Sequence, residues 1–216
     1  MKIQYLGHSS FLLEESTGTT IITDPFDGIG YDMPLRRADI VTVSHGHHDH
    51  DNVKRVAGTP LVIAEEGTHE VSGVEITAIP TYHDGEEGSL RGNNLVFKYR
   101  MDGLDVCHLG DIGEECNSDL LEMILPVDIL LIPVGGNYTI DAEQAKEYVD
   151  RIMPEIVIPM HYKTKSCNVD IDRVDDFIHQ FDSEEVEKTD APYLEFDRED
   201  LTGESTKVVV MKRVRE

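Results

Sequence analysis

Strand-type sequence begins almost at the first residue. Residues 2–6, 10–14 and 20–23 are rich in apolar and β-branched side chains, and Ser16-Thr17-Gly18 supplies a turn between the last two. Residues 74–79 alternate apolar with polar. Residues 94–99 and 104–109 flank Met101-Asp102-Gly103, which predicts a hairpin. The continuous apolar run over 128–134 predicts a strand buried on both faces, and 208–211 predict a closing strand. Helical spacing is scarcer. Residues 118–125 predict a short helix. A longer one is predicted over 141–153, where Asp141 and Gln144 have capping-box spacing and Pro154 supplies the stop. Val174, Phe177, Ile178 and Phe181 predict a helix over 170–181, and residues 52–57 are helix-compatible. Strands outnumber helices, so periodicity supports a mixed α/β or α+β class. No linker, repeat or low-complexity stretch divides the chain, and residues 1–216 are expected to form one domain.

Charge narrows the partners. The 216 residues carry 43 acidic against 19 basic side chains, a net charge of −24, which disfavours nucleic acid and anionic membranes. No apolar run reaches the roughly 18 residues of a membrane span. Met1-Lys2-Ile3-Gln4-Tyr5 leads into strand sequence without the apolar stretch of an export signal. Cys107, Cys116 and Cys167 then read as reduced thiols, and a cytoplasmic location is expected. Cys107 lies in an apolar strand pattern. Cys116 either approaches the site described next or is an ordinary loop thiol.

The densest chemistry is His45-Gly46-His47-His48-Asp49-His50, which follows the strand-like residues 40–43. Imidazole and carboxylate are ligands for borderline transition metals. Residues two apart face the same way at a strand end, so His45 and His47 can hold one ion. Asp49 and His50, turned into the following segment, can reach a second. His48 alternates with them and is expected to point away.

This HxHxDH pattern resembles the signature of the metallo-β-lactamase superfamily. Further strand-end candidates occur in the order used there: His83 in Pro80-Thr81-Tyr82-His83, Asp111 in His108-Leu109-Gly110-Asp111 and His161 in Pro159-Met160-His161-Tyr162. The resemblance extends from Met1 to about Lys165. It is nearest the ascorbate-6-phosphate-lactonase-like branch, through Gly7-His8-Ser9, Thr23-Asp24-Pro25-Phe26 and the segment from Pro133 to Thr139. It implies a four-layer αββα sandwich and two divalent metal ions, zinc first, with manganese or iron as alternatives. One ion would sit on His45, His47 and His83, and a second on Asp49, His50 and His161, with Asp111 bridging. Asp49 and Asp111 would be the catalytic carboxylates.

Other residues keep two readings. Asp24 either accepts the second N–H of a ligand histidine or is a strand-end turn residue. His8 either faces the site or is a satisfied turn histidine. Arg91, in the polar glycine-rich loop after His83, either meets an anionic substrate or is solvent-exposed; Lys163 and Lys165 could serve likewise. Asn137 and Tyr138, in a Gly-Gly turn after a buried strand, are expected on the rim, and His108 in supporting hydrogen bonds.

The implied activity is hydrolysis of a small, anionic ester, lactone or phosphoester, since two adjacent cations lower the pKa of a shared water. A nuclease or phosphodiesterase is a competitor, disfavoured by the acidic charge. A di-iron oxidoreductase is disfavoured because His47 stands where that branch carries a carboxylate. A non-catalytic binding protein is disfavoured by the full ligand set. The expected partner is a small molecule, and oligomeric state is not legible.

Overall fold

The computed structural model describes residues 1–203 and 205–214. The strands are β1 (Lys2–Gly7), β2 (Ser10–Glu14), β3 (Thr20–Thr23), β4 (Arg36–Arg37), β5 (Ile40–Thr42), β6 (Val56–Ala57), β7 (Leu61–Ile63), β8 (Gly67–Val71), β9 (Val74–Tyr82), β10 (Asn93–Met101), β11 (Leu104–His108), β12 (Ile129–Pro133), β13 (Ile156–Met160), β14 (Val186–Thr189), β15 (Leu194–Glu195) and β16 (Lys207–Met211). Two sheets dominate, with strand orders β15-β1-β2-β3-β5-β7 and β14-β16-β13-β12-β11-β10-β9-β8. In the second sheet the β9–β10–β11 meander is antiparallel, while β11, β12 and β13 run parallel.

The sheets share one core. Ile3, Phe11, Ile21 and Ile40 from the first and Ile76, Val96, Val106 and Ile129 from the second are buried in a single apolar cluster. Polar bonds also cross it: Thr42 and Tyr99 share a hydroxyl–hydroxyl bond of 2.7 Å, and His108 Nε2 donates to the Ser9 carbonyl at 2.8 Å. Alternate residues of the first sheet, Leu12, Ile22 and Val41, face a second apolar cluster containing Phe26, Ile29 and Met33. Both faces of that sheet are therefore covered. Among the described residues no helix is long and apolar enough to cross a membrane.

Among the described residues three α-helices accompany the sheets: α1 (Ser118–Ile124), α2 (Ala142–Ile152) and α3 (Val174–Ile178). The result is a sheet-rich α/β sandwich with few helices, as the sequence resemblance implies. In α2 the Asp141 side chain accepts from Gln144 N–H and the Gln144 side chain accepts from Asp141 N–H, closing the capping box. Two expected helices are cut short. Residues 52–57 make one 3₁₀ turn, Val53–Arg55, and then extend, because Asn52 N–H donates to the Pro25 carbonyl and β6 pairs in parallel with β4. In the 170–181 stretch, tertiary hydrogen bonds hold the first residues extended. Asp172 N–H donates to Gly135, the Asp172 carbonyl accepts from Lys163 N–H, and the Asp170 carbonyl accepts from the Asn137 amide. Helix α3 therefore starts only at Val174.

Candidate metal centre

The loops that leave the strand ends converge on one pocket of about 490 Å³, lined in part by His47, Asp49, His83, Arg91, Asp111 and His161. Two His/Asp groups there have ligand atoms within 4.8 Å of one another and could each hold a metal ion: His45, His47 and His83, and His8, Asp49, His50 and His161. A third group, His45, His50 and Asp111, overlaps them. Asp111 lies between. Its Oδ2 is 3.2 Å from His50 Nε2, 3.3 Å from His161 Nε2 and 3.5 Å from His83 Nε2.

Backbone geometry makes this convergence possible. Asp111 follows Gly110, whose φ of +59° lies in the left-handed region and whose Cβ would fall 2.3 Å from the Asn94 side chain. That Asn94 oxygen accepts Asp111 N–H at 2.9 Å, which fixes the carboxylate-bearing turn. His161 follows β13 with φ +51°, and its N–H donates to the His8 carbonyl at 3.0 Å. Gly135 lets the His161 backbone close in, since a Cβ there would lie 2.1 Å from the His161 carbonyl oxygen.

Asp24 organises the histidine loop from beneath. It is fully buried; Oδ1 accepts Ser44 N–H at 2.8 Å, and Oδ2 accepts the Ser44 hydroxyl at 2.6 Å and the His50 Nδ1–H at 2.9 Å. Burial alone would raise its pKa, but the hydrogen bond and charge of His50 bring it below the ordinary carboxylate value. His8 closes the other side. Its Nε2 lies 3.1 Å from Asp49 Oδ2 and its ring lies tilted against that of His161, 4.2 Å between centroids.

The electrostatics divide the histidines. Burial brings His45 down to about 3 and His8 down to about 4, so both rings are neutral near pH 7. Burial also lowers His50, but Asp111 and Asp24 outweigh it and hold that ring well above the ordinary histidine value. Burial would raise Asp111, yet His161 and His50 hold it well below the carboxylate range. The donor set fits a cation-binding site by a direct test. His45 Nε2, His50 Nε2 and Asp111 Oδ1 are buried atoms without an aligned hydrogen-bond partner. Buried polar atoms are costly unless satisfied, and imidazole nitrogen with carboxylate oxygen suits zinc-type ions.

Arg91 lines the pocket. Its guanidinium donates to the Asn137 carbonyl at 2.8 Å and lies 5.5 Å from the Tyr138 ring centroid. Asn137 is drawn to the same rim by these bonds, with φ +58°. Lys163 is placed differently: its ammonium donates to the Val169 carbonyl, and Lys165 lines another cavity. His48, expected to point away, reaches the pocket's mouth although its side chain is 76% exposed. Cys116 is buried, its thiol pushed up to about 11 by burial, and does not line this pocket. His108 uses Nε2 on Ser9 and accepts Gly110 N–H at Nδ1.

One organiser escaped the sequence reading. Asp84 Oδ1 accepts the N–H groups of Glu86 and Gly88, and Oδ2 those of Leu90 and Arg91. The signal was an aspartate heading a glycine-rich loop, the arrangement in which a carboxylate caps its own downstream backbone. Leu90, 70% exposed, is a further pocket wall that was not singled out, and Tyr138, expected on the rim, lines the pocket at 39% exposure.

Known proteins share this fold. Residues 2–161 match the β-lactamase superfamily domain. A UPF0173 metal-dependent hydrolase of Carboxydothermus hydrogenoformans is 34% identical, covering 76% of this chain and 85% of its own. The crystal structure of a protein from Thermotoga maritima, described as a Zn-dependent hydrolase of the metallo-β-lactamase superfamily, superposes with TM-score 0.81 at 41% identity over 97% of both chains. A diiron β-hydroxylase from Streptomyces venezuelae shares the fold at TM-score 0.55 and 20% identity, covering 74% of this chain and 44% of its own.

Proposed function

Because this chain belongs to the metallo-β-lactamase superfamily, among the UPF0173 metal-dependent hydrolases, we propose that it hydrolyses a small anionic ester, lactone or phosphoester at a dinuclear zinc centre. The observation that carries this is Asp111 Oδ2, within 3.5 Å of histidine nitrogens from both ligand groups. One ion would be held by His45, His47 and His83, the other by Asp49, His50 and His161, with Asp111 shared. Gly7-His8-Ser9 and Pro159-Met160-His161-Tyr162 support a place near the ascorbate-6-phosphate-lactonase-like branch. Residues 1–216 would act as one catalytic domain, a reading supported by the pairing of β16 with β13 in the central sheet.

Divalent cations bound there would lower the pKa of a water and polarise the substrate oxygen. The chain's own groups do the rest. Asp24 keeps the His50 proton on Nδ1, so Nε2 offers its lone pair to the centre. The His8 Nε2–H donates to Asp49 Oδ2, leaving the other carboxylate oxygen to orient the nucleophile. Arg91 spends one donor on Asn137 and keeps the rest of its fork for a carboxylate or phosphate of the substrate. Leu90 and Tyr138 would cover the substrate's apolar part and exclude water.

The test is a panel of lactones, phosphodiesters and thioesters offered to zinc-reconstituted protein. Turnover of an anionic lactone or ester that disappears with Asp111→Ala supports the proposal. Phosphodiester cleavage alone would favour the nuclease alternative, and no turnover across the panel would oppose the assigned substrate class.

A further inference from the structure

The surface has a second cavity whose charge runs against the rest of the molecule. It measures about 360 Å³ and has Tyr5, Tyr31 and Tyr162 among its walls. Four of the chain's 19 basic residues line it: Lys165, Lys188, Lys212 and Arg213. Among the described residues, Asp190 is the single carboxylate in the lining. In a chain of net charge −24, cations dispersed by chance would rarely gather four to one against an acid in so small a space. Local fields decide small-ion binding when the charges are within a few ångströms, because salt screens the distant acids over about 10 Å.

The groups are arranged for an oxyanion. The Arg213 guanidinium carbon sits 4.1 Å from the Tyr31 ring centroid, so the ring face holds the planar fork in place. Lys188 and Lys212 contact Asp175 and Asp190 at 3.7 and 3.0 Å, but all four side chains are about half exposed or more, and such pairs exchange readily for a better anion. The Thr164 hydroxyl, which lines the same cavity, is buried and makes no hydrogen bond. A guanidinium fork, three ammonium groups and an unused hydroxyl match a tetrahedral, multiply charged oxyanion better than a single carboxylate. The cavity also adjoins the candidate metal centre, since the Tyr31 hydroxyl accepts the His8 N–H at 3.0 Å and Tyr162 follows His161.

We propose that this tyrosine-walled, lysine-rich cavity is a second binding site, separate from the metal pocket, for a small phosphate-bearing anion. The inference does not depend on the hydrolase substrate, because none of the four cations lines the metal pocket.

The test is an amide-resolved NMR titration of zinc-loaded protein with inorganic phosphate and, in a second arm, glycerol phosphate. Amides of residues 164–166 and 212–213 should shift and saturate together in at least one arm. Shifts over residues 45–50 report phosphate at the metal pocket separately. Lys165→Gln/Arg213→Gln should weaken the first set by at least about tenfold, since two charge-assisted contacts are lost, and leave the second set in place. The spectrum itself reports folding; if the double variant is unfolded, Lys165→Gln alone, at an exposed position, must still weaken the first set. Absence of saturating shifts at these amides in both arms, or an unchanged titration in the variants, overturns the proposal.

Discussion

Asp24 and His50, 26 residues apart in sequence, meet in the interior with Oδ2 2.9 Å from Nδ1 and no solvent exposure on either side chain. The contact fixes both the tautomer and the ring plane of His50. Asp24→Asn would keep the size and lose the anion. We expect zinc affinity to fall by roughly 10- to 100-fold, the usual effect of removing a carboxylate behind a ligand histidine. Competition with a chromophoric chelator measures this directly, and unchanged affinity would show that Asp24 serves packing alone.

Proton release should accompany metal binding, and its source is legible. In the metal-free protein, burial lowers His50, but Asp111 and Asp24 outweigh it and keep the ring protonated at neutral pH. His45 and His8, at about 3 and about 4, have no proton to give. Zinc binding at His50 Nε2 should therefore release that proton near neutral pH, and zinc affinity should rise with pH while His50 remains protonated in the metal-free protein. The same shifts set the metal-free stability. The raised His50 value stabilises the fold below the ordinary 6.5 and is lost as pH rises through the folded value; the depressed Asp24 and Asp111 values stabilise above the ordinary 3.8 and are lost in acid. Calorimetry in buffers of differing ionisation enthalpy counts the protons, and a buffer-independent heat would contradict this account.

If Arg91 meets the substrate, it should separate substrates by charge. Arg91→Ala should raise KM for an anionic ester by roughly tenfold or more, the cost of a charged hydrogen bond, and leave a neutral ester nearly unaffected. Equal effects on both would mean that Arg91 acts only by tying the rim to Asn137.

Asp84 should control the mobility of the loop that carries Leu90 and Arg91. Asp84→Ala removes the acceptor for four backbone N–H groups. Amide exchange over residues 86–91 should accelerate, and KM for the anionic substrate should rise in step with the Arg91 variant. Unchanged exchange would show that the glycine-rich loop holds its shape without the carboxylate.

Much of this was legible in the chain because the signals were local. The apolar and β-branched runs marked strands 10–14 and 20–23 at their observed limits, and the Asp141–Gln144 spacing marked the start of α2. The His45–His50 cluster announced its chemistry through residue type alone. What was hidden depended on tertiary partners. Residues 52–57 have helical spacing, yet Pro25 and β4 claim their backbone groups. Strands β8 and β14 are mostly polar and exposed, so no hydrophobic period marked them. His8 looked ambiguous because its partners, Asp49 and His161, are distant in sequence and meet it only through the fold. Lys163 shared the local signal of a candidate cation, but its ammonium turns to the Val169 carbonyl.

Metal stoichiometry tests whether Asp111 joins the two ligand groups into one dinuclear centre. Protein produced with ample zinc, dialysed and analysed by plasma mass spectrometry, should contain about two ions per chain, as expected of a two-metal hydrolase. Asp111→Ala, folded by circular dichroism, should retain fewer and lose turnover. A wild-type chain that holds no zinc, or an Asp111→Ala chain with undiminished metal and activity, would contradict the account.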